Sequence, residues 1–182
     1  MPRSLLALAL CALAAPALAA DYVQAPGSSL AFAGIYQGEP FTGRFPEFRT
    51  TLRFDPADPA AARLEVDIPL ASATTGNPDY DVEMRGKAFF DSARFATARY
   101  TAQGVRALGG DRYAADGTLA LHGVERPVTL TFTWTPGERP VLTGRATVPR
   151  LAFGIGAGEW ASTSIIPDDI AVSTRVVLAP AP

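Results

Sequence analysis

The chain has 182 residues, a formal net charge of −2, 48 % hydrophobic side chains, one histidine and one cysteine. That length suffices for one domain with a packed core. The slight acidity and the lack of any basic run argue against a nucleic-acid surface, and a single histidine and cysteine are too few for a zinc site.

Met1-Pro2-Arg3, the apolar run from Leu5 to Leu13 and the small residues Ala17 and Ala19 form a basic start, an apolar centre and an A-x-A end. This is the pattern of a secretory signal peptide over residues 1–20, cleaved after Ala19 or Ala20, ahead of one domain over 21–182. The run is too short to span a bilayer. Leu10 is too bulky for a lipidation signal at Cys11. Cleavage removes Cys11, so the exported chain has neither thiol nor disulfide and must be held by its core. A periplasmic location is expected.

Strand signals then follow one another. Leu30, Phe32, Gly34 and Tyr36 alternate with other residues, as do Phe48, Thr50, Leu52 and Phe54 against Arg49, Thr51 and Arg53. Asp55-Pro56-Ala57-Asp58-Pro59 is turn chemistry, and Leu64, Val66, Ile68 and Leu70 resume the period of two. Asn77-Pro78-Asp79-Tyr80-Asp81 places a capping residue, a first-position proline and early acids in order. A short helix to about Lys87 is expected there, with Phe89, Phe90 and Phe95 tucked against the sheet.

A strand near Arg99–Arg106 precedes the clearest hairpin, where Tyr113, Ala115, Gly117, Leu119 and Leu121 share one face before a turn at His122. After the turn, Val128, Leu130, Phe132 and Trp134 share a face opposed by Thr129, Thr131, Thr133 and Thr135. Val141–Val148 and Ile170–Leu178 complete about eight strands. The expected fold is all-β: an eight-stranded antiparallel up-and-down, lipocalin-like barrel with one short helix. A sandwich satisfies the same strand count.

Catalytic chemistry is sparse. His122 lies at a turn, away from any nucleophile, and reads as a solvated or hydrogen-bonded turn residue. Asp55/Asp58 and Asp168/Asp169 adjoin prolines and read as turn or edge acids, not as an acid–base couple. No catalytic residue, metal ligand or cofactor is assigned. The glycine-rich stretch Phe153-Gly154-Ile155-Gly156-Ala157-Gly158-Glu159-Trp160 lacks the lysine of a phosphate-binding loop. It is either a bulged connection or a rim over a barrel mouth.

The working part is therefore expected to be an apolar interior. Phe32, Tyr36, Phe48, Tyr100, Phe132 and Trp134 are the candidate lining, with Phe41, Phe153 and Trp160 at the mouth. The competing outcome is that these rings fill a solid core. Interspersed small residues such as Ala98, Ala115, Gly117 and Ala146 would leave a slot if they face inward.

The stretch Gly117-Thr118-Leu119-Ala120-Leu121-His122-Gly123-Val124-Glu125-Arg126-Pro127-Val128-Thr129-Leu130 resembles the G-x-L-T-L-x-G-V-x-x-P-V-x-L motif of the YceI-like family, with Ala120 in place of threonine. Phe54-Asp55-Pro56, Thr74-Thr75-Gly76 and Ala88-Phe89-Phe90-Asp91 extend the likeness over essentially the whole exported chain. The resemblance implies a lipocalin-like barrel that binds an isoprenoid lipid, a polyisoprenoid or quinone tail, in the periplasm. The run from Arg150 to Trp160 is similar to a subgroup found beside membrane b-type cytochromes. That implies such a cytochrome as a partner, or, as an alternative, an interaction module that docks on it without carrying lipid. A homodimer is a further partner expectation; nucleic acid is not.

Overall fold

Alternation along the chain becomes strands that turn their apolar side chains inward. The computed structural model describes residues 20–182. The leader expected over residues 1–20 falls outside the described residues, except for Ala20, which opens the first strand. The strands are β1 (Ala20–Gln24), β2 (Ser29–Tyr36), β3 (Glu39–Arg44), β4 (Arg49–Phe54), β5 (Arg63–Pro69), β6 (Thr97–Gln103), β7 (Arg106–Gly109), β8 (Arg112–Leu121), β9 (Val124–Thr135), β10 (Val141–Pro149) and β11 (Asp169–Pro180).

Eight of them close a ring in the order β1-β4-β5-β6-β8-β9-β10-β11, and β11 returns to β1. Every pairing in the ring is antiparallel. This is the expected barrel, not a sandwich. β2 and β3 form a flap on β11, and β7 pairs with β8. The last residues of β11 pair with β1, from Gln24↔Leu178 to Tyr22↔Pro180, while its first half pairs with β2. β1 and β2 thus follow one neighbour in succession, bending between them at Pro26-Gly27, where Gly27 has φ +95°.

The faces follow the period of two. In β4, Thr50, Leu52 and Phe54 are buried and Arg49, Thr51 and Arg53 exposed; in β9, Val128, Leu130, Phe132 and Trp134 are buried and the intervening threonines exposed. Three strands carried too little pattern to be foreseen. β3 contains Pro40 and Gly43, residues tolerated at a sheet edge, and β7 is four residues long and wholly exposed. β1 has no fully buried residue. The strand expected to reach Arg106 stops at Gln103, because Gly104 takes φ +76° and ends the ladder.

Helix α1 (Pro78–Arg85) lies in the long β5–β6 connection. Asn77 Oδ1 accepts from the N–H groups of Asp79 (3.0 Å) and Tyr80 (3.5 Å), and Pro78 occupies the first turn. The helix ends at Arg85, slightly before the expected Lys87, with Gly86 as its cap. Phe89, Phe90 and Phe95 then pack against the core.

One end of the barrel is solid. The Phe54 ring meets Trp134 at 4.9 Å, Tyr113 at 5.0 Å and Phe132 at 6.0 Å between centroids, and Tyr22 reaches Trp134 at 5.6 Å. Edge-to-face contacts of this kind add to the gain from burying large rings. α1 and the long β10–β11 loop belong to the opposite end, where β5 meets β6 at Pro69↔Thr97 and β10 meets β11 at Pro149↔Asp169.

Candidate binding cavity

Tyr100 is a buried polar side chain within the barrel. Its hydroxyl has one proton to donate and lies 2.8 Å from the Ala115 carbonyl and 3.1 Å from the Val128 carbonyl, across the space left by Gly117. Burial pushes the Tyr100 pKa up to about 12. A cavity of about 390 Å³ lies against this ring, within the range of about 300–1,000 Å³ common for small-molecule sites. Its walls are mainly aliphatic, with Leu30, Leu64, Val66, Leu119, Leu130 and Val172 among them. Small side chains at Ala98 and Ala146 keep it open.

Aromatic side chains from four segments arch over the mouth. Tyr36 meets Tyr80 of α1 and Trp160 of the β10–β11 loop, each at 6.2 Å, and Trp160 meets Phe89 at 5.5 Å. α1 is tied down by Asp81, whose carboxylate accepts from Thr74 Oγ1 (2.6 Å), the Thr75 N–H (2.6 Å) and Thr75 Oγ1 (2.8 Å). The Thr74 hydroxyl first, then the Thr75 N–H, hold its pKa below the ordinary carboxylate value.

The glycine-rich loop is built around a cation. Arg150, 3 % exposed, donates through Nε to Pro167 O (3.1 Å), through Nη1 to Ile155 O (3.0 Å) and Gly156 O (2.9 Å), and through Nη2 to Trp160 O (2.9 Å) and Ile166 O (2.7 Å). Gly154, Gly156 and Gly158 all have positive φ, and a Cβ at Gly156 would stand 2.5 Å from Arg150 Nη1. A phosphate loop points N–H groups inward; this one points carbonyls inward, at a guanidinium.

The YceI-like domain profile matches residues 22–178. The chain belongs to the YceI-like family. This YceI-like chain is 32 % identical over 178 residues to a UPF0312 protein of Pseudomonas savastanoi pv. phaseolicola, covering 90 % of this chain and 93 % of the relative. A UPF0312 protein of Shewanella oneidensis is 28 % identical, over 85 % of this chain and 86 % of its own length. Among solved structures, Burkholderia cenocepacia BcnA superimposes with a TM-score of 0.79 at 28 % identity, covering 82 % of this chain and 95 % of BcnA. A polyisoprenoid binding domain from Saccharophagus degradans shares the fold, with a TM-score of 0.69 at 18 % identity over 90 % of this chain and 99 % of that domain.

Within this YceI-like barrel, Phe32, Tyr36, Tyr100, Phe41 and Trp160 all border the cavity. Four other expected positions lie elsewhere. Phe132 and Trp134 point inward but belong to the solid end, both edge-on to Phe54, with Phe132 also stacked on Tyr113. Phe48 is buried in the core beside the cavity without bordering it. Phe153 is fully buried under the loop, not poised at its rim, and its carbonyl lies 3.1 Å from His122 Nδ1.

His122 itself occupies the β8–β9 turn at φ +53°, edge-on to Phe95 at 4.8 Å. Asp55 accepts from the Ala57 N–H and Asp168 from the Leu151 N–H, each at 2.8 Å, so both hold turns. Residue patterning missed Tyr80, Met84 and Phe89 at the mouth. The helix was foreseen, but nothing in its own periodicity says which barrel end it covers.

Proposed function

We propose that this YceI-like protein binds an isoprenoid lipid in its barrel, as a periplasmic carrier or store. The observation that carries this reading is the mainly aliphatic cavity of about 390 Å³ inside the barrel, bordered by Tyr100 and by the aromatic arch. Its family and its fold likeness to the Saccharophagus degradans polyisoprenoid binding domain support the ligand class. The leader-like residues 1–20 support the location.

Each five-carbon isoprene unit removed from water gains about 4 kcal/mol gross, at roughly 0.8 kcal/mol per methylene-sized group. A few units therefore approach the affinity ceiling before ordering costs are subtracted, and the barrel need hold only part of a long tail. Shape and apolarity do this work without a catalytic group.

Native mass spectrometry of protein purified from its own host tests the proposal. A co-purifying isoprenoid mass is expected, and it should be lost in an Ala146→Phe variant that narrows the cavity. A ligand-free mass under gentle conditions, together with no uptake of added isoprenoid, overturns it.

A further inference from the structure

A ligand held inside the barrel must first cross its boundary, so, given the binding reading above, the way in follows from which parts of that boundary are bonded in place. The wall is a ring of strands hydrogen-bonded on both sides, and the Phe54–Trp134 end is filled by rings. At the other end, the β2–β3 flap is laddered onto β11. The β10–β11 loop is pinned by the five bonds of Arg150 and by the Gly156 N–H, which donates to Ala88 O at 2.7 Å.

α1 is held differently. Among the described residues, every hydrogen bond made by residues 75–87 ends within residues 74–92, so none crosses to the ring or the flap. Asp81 is the one buried residue of the helix, and it is a carboxylate, not part of an apolar face. A short helix draws its stability from packing, and an element with so little of it opens at low cost. Yet Tyr80, Glu83 and Met84 all border the cavity.

The two ends of the helix are attached unequally. At the C-terminal end, the carbonyls of Met84 and Arg85 accept from the N–H groups of Phe90 (3.0 Å) and Ser92 (3.1 Å), and Phe90 packs on Phe45 at 5.8 Å. At the N-terminal end, the helix is attached by the three bonds of Asp81 to Thr74 and Thr75 and by the Tyr80 ring on Tyr36. Thr74 itself is fixed, exchanging two backbone bonds with Arg44 at 2.9 and 3.0 Å. Between these threonines and the helix lies Gly76, at φ +83° with open space around it, where the chain is free to turn.

We infer that α1 is the door to the cavity: it swings about its Met84–Gly86 end, and Asp81 on Thr74 and Thr75 is the catch that keeps it shut. Release of the catch carries Tyr80 away from Tyr36 and uncovers the cavity border between α1 and the flap.

Stopped-flow kinetics with N-phenyl-1-naphthylamine, an uncharged dye that brightens in apolar surroundings, test this on the full-length protein. Asp81→Asn should raise the uptake and release rate constants together, each by about tenfold, the value of one bond to a charged group, with Kd little changed. A second variant carries Cys11→Ser, Tyr36→Cys and Tyr80→Cys. Joining its two thiols with a cleavable bis-methanethiosulfonate should slow both rates manyfold, and a reductant should restore them.

Dye exchange as fast in the joined protein as after reduction overturns the inference while binding stands. Faster release with unchanged uptake in Asp81→Asn also overturns it, by making Asp81 a support of the bound state and not a catch. Failure of the dye to bind the unmodified protein removes the binding reading and the door together.

Discussion

The phenol of Tyr100 occupies the space a side chain at Gly117 would take, with an added Cβ only 2.5 Å from its hydroxyl oxygen. The two residues sit on strands next to each other in the ring, β6 and β8. Their fit lets the ring lie over the neighbouring strand and reach the backbone of β8 and β9 at Ala115 and Val128.

Gly117→Ala should therefore destabilise the protein by about 1–3 kcal/mol, the usual cost of overpacking. The new methyl would also lie 2.6 Å from the Thr101 carbonyl, which is backbone and cannot swing aside. Urea denaturation measures the loss. Ligand uptake should fall as well, because the displaced phenol has only the cavity to move into.

Tyr100 gives an alkaline signature. Its pKa is raised to about 12 by burial, so between its ordinary value of 10.0 and about 12 the unfolded chain releases this proton and the folded chain keeps it. The stability it contributes is complete below pH 10.0 and declines as pH rises through that window. Tyrosinate absorbance should show a component titrating near 12 that disappears in Tyr100→Phe, and the variant's stability should fall less steeply over the same range.

Arg150→Lys keeps the charge but offers three donors where five carbonyls wait. At least two carbonyls then lose their partner, each costing about 1–3 kcal/mol when buried. Thermal unfolding should shift down by several degrees. Trp160 fluorescence should move to the red as the loop loosens, with a smaller change expected at the buried Trp134.

Asp81 should show itself in acid. Its pKa lies below 3.8, so its contribution is complete above that value and is lost as pH falls through the folded-state pKa. In Asp81→Asn the acid limb of the stability–pH curve should be shallower than in the unmodified protein. Stability near neutral pH should be lower, because an amide cannot accept all three bonds from Thr74 and Thr75 as the carboxylate does. Denaturant titrations at several pH values measure both.

The eight ring-and-flap strands with a clear period of two were legible because one wet and one dry face force alternation. Leu119 and Leu121 on β8, or Leu64 on β5, declare their orientation by position alone. Alternation carries no information on depth along the barrel. Phe32 and Phe132 share the inward orientation, yet one borders the cavity and the other plugs the far end. Depth depends on the register between neighbours, which is set by tertiary pairing. The glycine-rich loop was visible as unusual, but its purpose was not: Arg150 stands before the glycines, and only the fold wraps the chain back onto it.

The seam at β11 fixes when the barrel can exist. Both strands it joins, β1 and β2, come from the beginning of the described chain, so the circle stays broken until residues 169–180 arrive. Such distant pairing is slow to find, because the chain between must be ordered first. A nascent polypeptide halted before Asp169 presents a curled, oily sheet with two unzipped margins, a shape prone to clump with its own kind.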